Sequence, residues 1–356
     1  MKKIVLIDTS YPINVRNQKI MDSLTSSIED VEISVISWKR DGNLCEVPNG
    51  YYLYNKKSPL GDRLRKLKNL LGFKNFVKQS LREICPNVII ASHWSSLVLV
   101  ASCIKKEKLI YENLDIPTGP KLIRRVICFF EKRALKKATC VLHASRFYTE
   151  LYSASIPQIV LENKPKFEKD YKNKIYQKGT PLKISFIGGL RYRFLLQNLV
   201  DSVKNDNRFV LYLHGDGVDY EYFKEYCSGI NNVVLTGRYS YSSIVSLYHG
   251  SDVVWAAYPN TDFNVKYAIS NKFHESLYVG VPCVYSAGTK LADYVEANKI
   301  GIQVDSNDML SIRSLFEQIY NGELDLTEIS ENMKSFANKE NNWDDDFQEV
   351  VEIIKK

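Results

Sequence analysis

The richest chemistry in the sequence lies at 258–283, Tyr-Pro-Asn-Thr-Asp-Phe-Asn-Val-Lys-Tyr-Ala-Ile-Ser-Asn-Lys-Phe-His-Glu-Ser-Leu-Tyr-Val-Gly-Val-Pro-Cys. A polar loop runs into a helical segment that Ser270 or Asn271 would cap. The unpaired N–H groups of such a first turn attract an anion, and Lys272 adds a positive charge there. Glu275 stands one turn further among the apolar Phe273, Leu277 and Val279, where a carboxylate is placed to accept both hydroxyls of a ribose. Gly280 and Pro282 close the helix. A second candidate is the loop Phe186-Ile-Gly-Gly-Leu-Arg191. Gly188 and Gly189 let a backbone approach closely, and Arg191 offers a charge-assisted fork for phosphate. The alternative is a purely structural strand–helix turn. The loop is not G-x-G-x-x-G, so dinucleotide binding gains no support.

His93 follows the apolar run Val88–Ala91, at the strand end where α/β proteins bind ligands. Asp115 either serves a ligand loop or caps a helix starting near Pro117. His143, His214, His249 and His274 read as structural. Asp344-Asp345-Asp346 has the look of a metal D-x-D, but acids favour a helix N-terminus and the helix-start reading is preferred.

These residues need strand–helix alternation to hold them. Residues 3–7, 31–37, 88–91, 109–111 and 140–143 read as strands, with helical spacing at 14–28, 62–84, 95–104 and 120–136. Residues 162–180 are Lys-rich with little apolar periodicity, and a linker is expected at 166–180. The alternation restarts at 182–187 and runs to the end of the chain. The expected fold class is α/β: two Rossmann-like doubly wound domains facing a cleft, at 1–165 and 181–338.

Length and composition agree. A chain of 356 residues suits two domains, and 45% hydrophobic with 25% charged residues suits a globular protein rather than a disordered one. No apolar run approaches the ~20 residues of a membrane span. The N-terminal apolar stretch is too short for a signal peptide. Seven scattered cysteines with no C-x-x-C imply reduced thiols, a cytoplasmic setting and no zinc site. The net charge of +7 hides an asymmetry: residues 1–180 carry +15 and residues 181–356 carry −8.

The run Asn271–Pro282, N-K-x-x-E-x-L-x-x-G-x-P, resembles the nucleotide-sugar motif of the family 4 glycosyltransferases of GT-B fold. Gly188-Gly189 with Arg191, His214-Gly-Asp-Gly217, Thr236-Gly237, His93 and the Glu112…Asp115 loop are similar to the same family. The resemblance implies a retaining transfer from a nucleotide diphospho-sugar, with no cofactor and no metal. It makes Glu275 the ribose ligand and Arg191 a ligand of the diphosphate. It sets Gly188, Gly189, Gly215, Gly237, Arg238, Ser270 and Asn271 on the donor side. His93 would touch the transferred sugar, while Arg16, Glu112 and Asp115 would serve the acceptor side. The final helix, within 339–356, would cross back to the N-terminal domain. Two positions depart from the pattern. Tyr267 stands where the family has a first glutamate, and Leu196 where it has a lysine, whose charge Lys272 takes over.

Two basic stretches suggest a partner. Residues 60–82 hold seven Lys/Arg and one acid around Leu60, Leu64, Leu67, Leu70 and Leu71. Residues 121–137 hold seven and one around Ile123, Ile127 and Phe130. Basic amphipathic helices read as membrane-surface elements. The expectation is a peripheral enzyme on the inner face of the plasma membrane, extending a lipid-linked glycan acceptor in polysaccharide biosynthesis. No nucleic-acid signature accompanies the charge. The rivals are another GT-B enzyme, such as a sugar-nucleotide epimerase, and a non-catalytic basic membrane- or nucleic-acid-binding protein.

Overall fold

A computed structural model of the chain describes residues 1–43, 45–58, 63–171 and 179–356, without the side chains of residues 63–68. The chain divides into two units. Unit 1 holds Met1–Asn163 and Trp343–Lys356, and unit 2 holds Lys164–Asn342.

Unit 1 alternates as the apolar pattern requires: β1 (Lys2–Asp8), α1 (Val15–Ser27), β2 (Val31–Lys39), β3 (Tyr51–Asn55), α2 (Arg63–Ile84), β4 (Val88–Ser92), α3 (His93–Ala101), β5 (Lys108–Asn113), α4 (Lys121–Leu135), β6 (Cys140–His143) and β7 (Gln158–Val160). Its strands form one parallel sheet in the order β3-β2-β1-β4-β5-β6-β7. β4 is buried along its whole length, as a parallel strand covered on both faces must be. Phe73, Val77, Leu81 and Ile84 of α2, with Leu97 and Val100 of α3, cover one face. Ile20 and Leu24 of α1 help cover the other. That second face is completed by the last helix of the chain, which spans Trp343–Lys355 and seats Trp343, Phe347, Val350, Val351 and Ile354 there. Trp343 Nε1 donates to Ser23 Oγ at 2.8 Å. Asp344, Asp345 and Asp346 occupy its first turn, as the macrodipole favours.

Unit 2 repeats the plan. After β8 (Leu182–Ile187) the chain forms the helix Arg193–Val203, then β9 (Phe209–His214), the helix Tyr220–Tyr226, β10 (Val233–Gly237), the helix Ile244–His249 and β11 (Val253–Trp255). A short helix Phe263–Tyr267 and the helix Asn271–Val279 lead to β12 (Cys283–Ser286). The helix Lys290–Ala297, β13 (Ile302–Val304) and the helices Met309–Asn321 and Leu326–Ala337 complete the unit. Its parallel sheet runs β10-β9-β8-β11-β12-β13. Both sheets therefore have the doubly wound order, with its reversal between β1 and β4 in unit 1 and between β8 and β11 in unit 2.

The stretch expected as a linker behaves differently up to residue 171. Asp170 N donates to Tyr278 O at 2.9 Å, and Lys334 stands over the Tyr171 ring at 5.6 Å. Residues 164–171 are thus already pinned to unit 2, because their polar groups find backbone partners that a composition pattern does not reveal. Residues 172–178 lie outside the described residues. Three elements had no sequence signal: the edge strands β3 and β7, and the helix Phe263–Tyr267, started by Asp262 Oδ1 accepting from Asn264 N at 2.8 Å.

Candidate functional site

The reversal in unit 2 brings the loops after β8 and β11 side by side. After β8 the chain turns through Gly188, at φ +151°, and its N–H donates to His214 O at 2.9 Å. The facing loop carries Gly215 at φ +128°, where an added Cβ would lie 2.0 Å from Gly188 O. Gly215 is therefore demanded by backbone packed on backbone, and it shapes the loop beside Gly188. Arg238, on the loop after β10, pairs with Asp216 at 3.2 Å on the surface. Arg191 projects into solvent with its guanidinium 5.0 Å from the Tyr192 ring, and it forms no ion pair among the described residues. Tyr192 itself has a left-handed backbone, φ +65°, which bulky residues seldom adopt and which clusters at functional loops.

The helix Asn271–Val279 starts at Ser270, whose Oγ accepts from Lys272 N at 3.3 Å, and ends at Gly280, at φ +74°. Lys272 folds back from the first turn. Its Nζ would stand 3.0 Å from a Cβ on Gly188, so the lysine lies directly over that loop. Lys272 is 7% exposed, and its Nζ donates to Tyr258 Oη at 2.6 Å. Burial alone would lower the lysine pKa, but Tyr258 and Glu275 outweigh it and hold the pKa above its ordinary value. The Tyr258 phenol is pushed up by burial and pulled down, on balance, by Lys272.

Glu275 is also buried. Tyr248 donates to Oε2 at 3.0 Å and Tyr241 to Oε1 at 3.3 Å. Burial raises its pKa against the pull of Lys272 and the two tyrosines. Asn271 opens the helix on its exposed side, and Gly237 ends β10 with φ +73°. The arrangement is one of cations and a helix start around a glycine loop, with a carboxylate one turn away, chemistry that suits a diphosphate and a diol. Tyr241, Tyr248 and Tyr258 escape sequence reasoning because tyrosines at irregular spacing carry no motif; only the strand order brings them to Glu275 and Lys272.

In unit 1 the reversal joins the ends of β1 and β4. Asp8 accepts from Ser10 N, Ser10 Oγ and Asn17 Nδ2, at 3.0, 2.8 and 2.8 Å. Asn17 Nδ2 also donates to Ser92 Oγ at 2.9 Å, and Ser92 Oγ to Glu112 Oε2 at 3.0 Å. Arg16 Nε donates to Glu112 Oε1 at 2.6 Å. Arg16 and Glu112, expected on the acceptor side, are thus an ion pair in the interior. Their charges were visible in sequence, but their mutual pairing depends on β5 and α1 meeting. His93 opens α3 at φ +72° and stays partly exposed. Burial lowers its pKa, while Asp115, Glu112 and Asp8 pull the other way. Asp115 caps no helix: α4 begins at Lys121, after Pro120.

The two basic helices part company. In α2 the apolar positions Phe73, Val77 and Leu81 are buried core. Leu60 and Asp62, with the side chains at 63–68, lie outside the described residues, so half of that expected basic stripe does too. In α4 the apolar side is turned outward: Leu122 is 73% exposed and Phe129 64%, with Ile123, Val126 and Phe130 each at 50%. Among the described residues, no helix is long and apolar enough to cross a membrane, and no three or more His, Cys, Asp or Glu gather as a metal site.

Residues 181–321 match the family model of the glycosyl transferases group 1. Solved structures share the fold at low identity. A sucrose-phosphate synthase of Thermosynechococcus elongatus is 14% identical with a TM-score of 0.75, covering 100% of this chain and 98% of its own. HepE of Anabaena, solved in complex with UDP and glucose, is 16% identical with a TM-score of 0.69, covering 100% of both chains. A putative UDP-N-acetylglucosamine 2-epimerase of Listeria monocytogenes is 11% identical with a TM-score of 0.62, covering 100% of this chain and 96% of its own. The sequence matches none of the curated proteins with which it was compared. The fold is GT-B, and transferase and epimerase share it; the family model over unit 2 points to the transferase.

Proposed function

We propose that this chain, a glycosyltransferase of GT-B type, moves a sugar with retention from a nucleotide diphospho-sugar on unit 2 to a lipid-linked saccharide in cell-surface polysaccharide assembly. One observation carries the donor half: Lys272 is buried over the Gly188 loop at a helix N-terminus and, among the described residues, its ammonium is bonded to a phenol and to no acid. A buried cation without a bonded acid is costly unless an anion comes to it. A diphosphate fits that need, and the UDP on HepE supports the same reading. Arg191, exposed beside it, is free to swing onto the outer phosphate oxygens. Glu275 can exchange its long Tyr241 bond for the ribose hydroxyls.

In the reaction the bond from the sugar C1 to the leaving phosphate breaks and a bond from C1 to the acceptor oxygen forms on the same face. The acceptor proton passes to the leaving phosphate. Charge growing on that phosphate is met by Lys272, Arg191 and the N–H groups after Ser270, so this reading calls for no metal and no nucleophilic side chain. His93, whose imidazole pKa is lowered by burial, is assigned to the transferred sugar.

The acceptor half rests on α4. Its outward apolar residues are interleaved with Lys121, Arg125, Lys132 and Arg133, a pattern complementary to an anionic lipid surface. The enzyme would then work as a peripheral protein on the inner face of the plasma membrane.

The deciding experiment incubates the protein with nucleotide diphospho-sugars and membrane extract, scoring nucleoside diphosphate release and labelled lipid. Both are expected. An isomerised nucleotide diphospho-sugar with no net nucleoside diphosphate release and no labelled lipid would favour an epimerase, and absence of any turnover across the common donors would favour a non-catalytic protein. Liposome sedimentation of Phe129→Ser/Phe130→Ser should fall well below that of the native protein; equal sedimentation would remove α4 from the reading.

A further inference from the structure

Tyr258 lies three residues beyond β11, on the loop that faces β8 at the reversal of unit 2. Nothing in the motif around Asn271–Pro282 includes it. Its backbone is held: Ser286 Oγ donates to Tyr258 O at 2.6 Å, and Ser286 in turn shares a hydrogen bond with Ser306 at 2.7 Å. Its ring meets Tyr192 edge-on, with centroids 6.0 Å apart, which ties it to the residue next to Arg191. Its oxygen accepts from Lys272 Nζ at 2.6 Å and lies beside Ser270 at the helix start. One hydroxyl thus stands where the Arg191 loop, the Gly188 loop and the first turn of the helix Asn271–Val279 converge.

The choice of partner matters. An aspartate or glutamate on Lys272 would neutralise it and repel an incoming diphosphate. A neutral phenol gives the lysine a hydrogen bond and leaves its charge in place. The phenol also keeps its own O–H, which a diphosphate oxygen accepts more strongly than a hydroxyl does. We propose that Tyr258 is a further donor-binding residue, parking Lys272 in the empty site and donating its own hydrogen bond to the diphosphate in the loaded one. This rests on the donor-site reading above.

The test begins with native protein and a thermal-shift screen of UDP, GDP, ADP and dTDP. The nucleotide that binds is then compared with its monophosphate and its nucleoside by calorimetry, on native protein and on Tyr258→Phe. The substitution keeps the ring and removes only the oxygen. The expected result is about tenfold weaker diphosphate binding, in line with one hydrogen bond to a charged group, and unchanged nucleoside binding. Unchanged diphosphate affinity, or equal losses for diphosphate and nucleoside, overturns the proposal. If Tyr258→Phe unfolds below the assay temperature, Tyr258→Met, which also removes the oxygen and fills the space with a flexible apolar chain, is read on the same three ligands by the same criterion. The donor-site reading fails separately: no diphosphate in the screen binds native protein, or Lys272→Met leaves diphosphate affinity intact.

Discussion

Arg16 and Lys272 are both buried cations near the reversal of a parallel sheet, 3% and 7% exposed, yet they are surrounded differently. Arg16 has an acid bonded to it at 2.6 Å, and its guanidinium lies 5.5 Å from the Trp343 ring. Glu112 in turn is held by Ser92, and the chain of bonds continues through Asn17 to Asp8. Among the described residues Lys272 is bonded to a phenol and to no acid, while Glu275, whose charge it feels, takes its hydrogen bonds from Tyr241 and Tyr248. In unit 1 the buried charge is paired with an acid through Nε, while Arg16 Nη1 and Nη2 find no hydrogen-bond partner among the described residues; in unit 2 the buried cation has no acid bonded to it there. Taking the acid from a paired buried cation strands its charge, whereas a buried cation with no bonded acid is the one that gains from an anion brought to it.

The largest expected effect tests the paired cation. Glu112→Ala strands Arg16 without its counter-charge and should cost roughly 3–5 kcal/mol of stability in denaturant unfolding. If the loss is under about 1 kcal/mol, the pair is not the strut described here and the contrast with Lys272 fails.

Next comes the titration of the same interior. His143 is fully buried between Asn113 and Gln158, and burial pushes its pKa from 6.5 down to about 4. Between those values the unfolded chain binds more protons than the folded one. The stability is present above pH 6.5 and is lost as pH falls toward 4, by up to about 3 kcal/mol. Stability curves of native protein and His143→Gln measured across that window should diverge on the acid side. Parallel curves would show that the histidine accommodates its charge.

The cation with no bonded acid predicts smaller losses in binding and almost none in folding. Lys272→Met removes a buried charge that has no acid bonded to it, so stability should hold or rise while nucleoside diphosphate affinity falls ten- to hundredfold. A destabilised variant with intact nucleotide binding would reverse the comparison. Glu275→Ala should reduce transfer by a similar factor, about 1.5–3 kcal/mol, in a protein that still folds; full activity would sink the ribose assignment. Smallest is Arg191→Ala. The side chain is exposed, and about 1 kcal/mol is expected, lost from diphosphate and not from nucleoside binding in calorimetry.

A good part of this was legible in the chain. Apolar runs such as Val88–Ala91 mark buried parallel strands because a strand covered on both faces has no polar side to show. Ser270 and Gly280 bound a helix by chemistry that acts within a few residues. Glu275 and Lys272 were conspicuous as charges in an apolar helix. The final helix showed its Phe347, Val350, Val351 and Ile354 stripe and its acidic start.

Pairings between distant segments were not legible. Whether an amphipathic helix turns its apolar stripe inward is settled by what sits beneath it: α2 buries Phe73 and Val77, and α4 leaves Phe129 and Phe130 in solvent. Both helices look alike as charge patterns. Arg16 with Glu112, and Lys272 with Tyr258, are separated by 96 and 14 residues, and no local spacing announces either bond. The sequence by itself determined the strands, the helix caps and the presence of buried charge, because these follow from the chemistry of neighbouring residues. Only the tertiary structure decided which buried cation is bonded to an acid and which to a phenol, because that depends on the partner the sheet order brings within hydrogen-bond reach.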